Sequence, residues 1–162
     1  KKHCIKSTPN KKNNICVHQG YCKQLFMSNL YYKICAQINQ LLQLNPDYNL
    51  FITGHSAGGA LATLFGYLLS TDMPTHKIQI ISFASPRIGN YAFKRDFESR
   101  ANLTHCRVTN RNDIVTAMPI VQYHHVGCKK YIRTSNISLC FCLNVYDHST
   151  DAYYHNLLDT TW

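Results

Sequence analysis

The sequence predicts an α/β fold, a mostly parallel central sheet with helices on both faces. Three observations predict it. Short apolar runs bounded by turn residues alternate with segments of helical period, as parallel strands joined by right-handed crossovers do. Gly54-His55-Ser56-Ala57-Gly58 stands between one such run and a helical segment, the context of a sharp strand-to-helix turn that presents a serine. Ser56 and Asp113 both fall just past predicted strands, at the sheet edge where this architecture builds its sites.

Taken in order, residues 1–16 are polar and lysine-rich with Pro9, and read as a loop or edge segment. From 21 to 44, Leu30, Ile34, Ile38 and Leu41/Leu42 recur at spacings of three and four. That is one face of a long amphipathic helix, closed by Asn45-Pro46. Residues 50–53 form a central buried strand and 57–70 the helix beyond the turn. The flanking glycines, Gly54 and Gly58, are expected because a Cβ there would strike the neighbouring strand or helix. Residues 77–84 are a second buried strand, 86–90 a turn, 91–100 a short helix and 105–109 a third strand. Residues 131–133 and 137–145 are further strand candidates, and 150–160 is helical.

A chain of 162 residues suffices for one domain with a real core, burying roughly two thirds of its unfolded surface. Composition is ordinary for a folded chain at 45% hydrophobic and 12% aromatic, with no repeat or low-complexity tract. The apolar stretch 57–69 is too short for a membrane span and too internal for a signal peptide. Net charge is +9, spread along the chain. A basic surface of this kind suits solvation or peripheral contact with an anionic membrane, where each nearby basic residue contributes up to ~1 kcal/mol. No nucleic-acid motif accompanies the charge. Eight cysteines occur without a Cys-x-x-Cys pair, and Cys35, Cys140 and Cys142 hold positions suited to buried apolar side chains. The expectation is free thiols in a reducing intracellular compartment, with neither a metal nor a cofactor.

A serine hydroxyl needs a base to take its proton as it attacks, and the base needs a carboxylate to hold its tautomer. Among the acids, Asp47 and Asp72 lie in turns beside prolines, and Asp96 and Glu98 lie in a helix. Asp113 alone follows a strand and precedes an apolar step. Of nine histidines, His55 sits inside the turn with its ring expected to point away from the serine. His148 stands in the loop before the last helix and is favoured as base, with His155 and His125 as alternatives. The order Ser56, Asp113, His148 is that of α/β-hydrolases.

Longer stretches carry a resemblance. Thr53-Gly54-His55-Ser56-Ala57-Gly58-Gly59-Ala60-Leu61-Ala62, Phe83-Ala84-Ser85-Pro86-Arg87-Ile88-Gly89-Asn90 and Val108-Thr109-Asn110-Arg111-Asn112-Asp113-Ile114-Val115 resemble, in order, three hallmarks of the fungal-type (class 3) lipases. Val17-His18-Gln19-Gly20-Tyr21, Tyr123-His124-His125-Val126-Gly127 and the pair His148 with Tyr153 are similar to further family segments. The resemblance implies an α/β-hydrolase acting on lipid esters such as acylglycerols, with Ser56, Asp113 and His148 catalytic. The Ala57 N–H, just after the nucleophile, is then one oxyanion donor. The family's second donor lies in a Phe-Arg-Gly-Thr/Ser-like segment, and none occurs between Lys1 and Val17. That departure predicts a chain lacking the N-terminal part of its domain. The alternative is a catalytically inactive lipase-like binding or interaction module.

Overall fold

Strand and helix alternate much as the apolar patterning dictates. The computed structural model describes residues 2–5, 14–132 and 146–160. Two short strands come first, β1 (Lys2–Ile5) and β2 (Ile15–His18), followed by the helices α1 (Gln19–Phe26) and α2 (Leu30–Leu44). Then β3 (Leu50–His55), α3 (Ala57–Asp72), β4 (Ile78–Phe83), α4 (Tyr91–Glu98), β5 (Leu103–Asn110) and β6 (Cys128–Ile132) alternate, and α5 (Thr150–Leu158) closes the described chain. Strands β3-β4-β5-β6 form a parallel sheet in that order. Strands β1 and β2 make a separate antiparallel pair. Single bridges from Val17 to Gly89 and from Gly89 to His124 tie β2 to the loops beyond β4 and β5.

The two sheet faces differ. Register puts Ile52, Ile80 and His105 on one face, beneath α3 and α4. Helix α3 lies close because Gly66 carries no Cβ; one there would stand 2.5 Å from Ile80 Cδ1. Leu64 and Leu69 of α3 and Phe93 and Phe97 of α4 are fully buried, and Tyr67 packs 4.8 Å from the Phe93 ring. The Asn90 side chain caps α4 by accepting from the Phe93 N–H. On the other face, α5 covers only the carboxyl end, where Tyr153 and Leu157 meet Ala84, Phe83, Val108 and Ile132.

Several sequence expectations need correction. The long helix over 21–44 is two helices, parted by a 3-10 turn at Met27–Asn29 in which Asn29 takes φ 56°. The buried stripe of α2 keeps the expected Ile38 and Leu42 but is shifted by one position in its first half, to Tyr31 and Cys35, while Leu30, Ile34 and Leu41 are exposed. Tyr31 also donates a hydrogen bond to Asp72, which ends α3 rather than lying in a turn. A tyrosine hydroxyl supplies this tie, and a purely apolar periodicity cannot register it. The third concerns the glycines of the serine turn. A Cβ on Gly54 would stand 2.4 Å from the Gly58 carbonyl, and one on Gly59 3.0 Å from the Gly54 oxygen. A Cβ on Gly58 meets nothing within 4 Å. Gly54 and Gly59, not Gly58, make the close approach. The last strand begins earlier than expected, at Cys128. The candidate strand 137–145 lies outside the described residues. Among the described residues no helix is long and apolar enough to cross a membrane.

Candidate active site

Ser56 occupies the tight turn between β3 and α3 at φ 54° and ψ −123°, left-handed backbone that a non-glycine residue adopts only under constraint. Two features impose it. Strand β3 runs directly into α3, with Gly54 against Gly58, and the Ser56 N–H donates to the Phe83 carbonyl at 2.9 Å. The turn carries the Ser56 Oγ above the carboxyl end of β3. Ala57 opens α3, so its N–H is a first-turn donor without an intrahelical acceptor, at the positive end of the helix dipole.

His148 reaches this hydroxyl from a 3-10 turn, Tyr146–His148, immediately before α5. Its Nε2 lies 2.7 Å from Ser56 Oγ. Its Nδ1 lies 3.0 Å from each carboxylate oxygen of Asp113. An ionised carboxylate only accepts, so Nδ1 carries the proton and Nε2 is left bare to accept from the serine. The Asp113 side chain is fully buried and that of His148 is 17% exposed. Besides the histidine, Asp113 accepts from the Val115 N–H at 2.9 Å and the Tyr153 hydroxyl at 2.8 Å. Burial raises the Tyr153 hydroxyl well above its ordinary pKa, and the bond to Asp113 raises it further. It therefore stays protonated and donates. The same oxygen accepts from the Asn110 N–H at 2.9 Å, which locks α5 to the end of β5. Together these groups can pass a proton from a serine to an imidazole backed by a desolvated carboxylate.

Comparisons with known proteins give the family. The family model described as "Lipase (class 3)" matches residues 2–123. This chain belongs to the class 3 lipase family. Phospholipase A1-II 3 of Oryza sativa subsp. japonica is 38% identical over 114 residues, 63% of this chain and 27% of that protein. Secreted mono- and diacylglycerol lipase A of Penicillium cyclopium is 33% identical over 106 residues, 64% of this chain and 33% of that protein. The crystal structure of a lipase from Rhizopus microsporus var. chinensis superposes with a TM-score of 0.71 at 27% identity, covering 83% of this chain and 47% of that one. The fold is the α/β-hydrolase fold. The chain spans about a third of these curated relatives and about half of that solved lipase.

Within this class 3 lipase chain, the residues expected from the sequence as Ser56, Asp113 and His148 lie together. The rival histidines lie elsewhere. His155 is exposed on α5, and the His125 Nε2–H donates to the Thr116 carbonyl at 2.6 Å. Arg87 donates to the Pro119 and Ile120 carbonyls. Sequence reasoning missed two supports. The His55 ring does turn from the serine, but its Nε2–H donates to the His148 carbonyl at 2.9 Å, with the two rings 5.0 Å apart. Asn110 Nδ2 holds the Asp147 carbonyl at 3.1 Å. Both fix the backbone of the histidine turn. A side chain bonded to a backbone carbonyl far along the chain leaves no spacing signal.

Proposed function

We propose that the full-length protein is a serine hydrolase that cleaves carboxylic esters of acylglycerols or related lipids. The 2.7 Å approach of His148 Nε2 to Ser56 Oγ, with Asp113 behind the ring, is the observation that carries the reading. Ser56 attacks the acyl carbonyl while His148 takes its proton, and Asp113 stabilises the imidazolium that forms. The Ala57 N–H receives the developing oxyanion. His148 then protonates the departing alcohol, and a water that gives its proton to His148 attacks the acyl-enzyme, releasing the acid and regenerating Ser56. The named activities of the relatives, phospholipase A1 and mono- and diacylglycerol lipase, support a lipid ester as substrate. The net charge of +9 supports peripheral docking on an anionic lipid surface.

The test is hydrolysis of a p-nitrophenyl ester and of emulsified acylglycerol by the full-length protein. Ser56→Ala is expected to lower kcat by about 10⁵-fold or more with circular dichroism and Tm retained. Equal turnover in the variant would remove the mechanism. No turnover by the unaltered protein would favour the inactive binding module.

A further inference from the structure

A second cluster of chemistry lies below the serine turn, on the face covered by α3 and α4. Arg107 of β5 is 7% exposed. Its Nε donates to the Val126 carbonyl at 2.9 Å, and its buried Nη1 has no hydrogen-bond partner among the described residues. The ion pairs among the described residues join Lys94 to Glu98, Arg100 to Asp96 and His148 to Asp113; Arg107 is in none of them. Its surroundings are themselves basic. Lys129 stands directly opposite in the β5–β6 register, with its Nζ over the Tyr131 ring. The Arg87 guanidinium, whose charge acts on Arg107, donates to the neutral Pro119 and Ile120 carbonyls.

His105, two residues before Arg107 and on the same face, is also buried. Its Nε2 lies 2.8 Å from Ser82 Oγ and its Nδ1 has no partner. Burial, and then the charge of Arg107, lowers its pKa to about 3, so the ring is neutral. The Ser82 hydroxyl can donate to or accept from Nε2, so the neutral ring fits either tautomer. Gly127, at φ 72°, brings its backbone so near that a Cβ would stand 2.5 Å from the His105 carbonyl. The entry to β6 thus packs directly against His105, while Lys129 beyond it is exposed.

An unpaired buried cation is destabilising by several kcal/mol, and like charges directly opposite on paired strands add to it. A water accepting from the orphan Arg107 N–H satisfies its hydrogen bond but leaves the charge. An anion satisfies both. We propose that Arg107, with His105, Arg87 and Lys129 around it, forms a binding site for a small monatomic anion of the chloride class.

The experiment is thermal unfolding of the full-length protein at constant ionic strength and pH 7, exchanged into sodium gluconate and titrated with sodium chloride, bromide or sulfate. Chloride and bromide are expected to raise the midpoint saturably by about 3 °C or more, and sulfate is not. Identical midpoints in gluconate and chloride, or an equal rise with sulfate, would overturn the proposal. Arg107→Met should abolish the chloride dependence. If that variant does not fold, Lys129→Glu decides: a carboxylate in register replaces the anion, raising the midpoint in gluconate and erasing the chloride response. A chloride response that persists in Lys129→Glu would also overturn it.

Discussion

On the α5 side of the sheet, the carboxyl end and the amino half are built differently. At the carboxyl end α5 buries Val108 and Ile132, and hydrogen bonds join Ser56, His148, Asp113, Tyr153 and Asn110 into one network. On the same face of the amino half, Phe51 is 65% and Ile81 39% exposed, beside Gln79 and Thr104 in register. Parallel sheets normally have both faces covered. The contrast teaches that the layer holding Ser56, His148 and Asp113 is assembled by short segments at the strand ends, each held by its own hydrogen bonds.

The largest effect that would sharpen this contrast lies at the carboxyl end. Asp113→Asn keeps an acceptor for the Val115 N–H but no longer enforces the tautomer of His148. Its expected outcome is a loss of about 10⁴-fold in kcat with little change in Tm, measured by steady-state ester hydrolysis and calorimetry. Unchanged kcat would break the link between the buried carboxylate and the base. Next comes Tyr153→Phe, which leaves the buried Asn110 N–H without an acceptor and Asp113 without one of its donors. A loss of about 1–3 kcal/mol in stability is expected, read by urea unfolding, together with a lower kcat at unchanged KM. The smallest effect belongs to the open half: Phe51→Thr is expected to change stability by no more than about 0.5 kcal/mol and to leave kcat alone. A loss of 2 kcal/mol or more there would show the strip to be covered in the full-length protein.

Much of the fold was legible because its signals are local. The apolar run before Gly54, the helical period after it and the strand ahead of Asp113 are written in consecutive residues, and β3, α3 and β5 stand where they predict, although β3 is the edge strand of the described sheet and half exposed rather than central and buried. His148 was legible from two facts together: it follows Asp113, and it stands in the loop before the last helix, whereas His155 lies within that helix. What escaped was decided by tertiary contacts. The break at Asn29 rests on a left-handed residue inside an otherwise helical pattern. The shift of the α2 stripe follows Tyr31 reaching across to Asp72. The freedom of Gly58 and the crowding of Gly54 depend on how closely α3 folds back over the end of β3. His55 holds a carbonyl 93 residues away in the chain, a distance over which sequence spacing carries no information.

Covalent labelling tests the central claim most directly, because it asks whether Ser56 is activated without requiring a known substrate. Full-length protein treated with a fluorophosphonate probe is expected to be modified once, on the peptide containing Ser56, with labelling abolished in Ser56→Ala and strongly slowed in His148→Ala. A folded protein that takes no label, or one labelled equally well without His148, would contradict it.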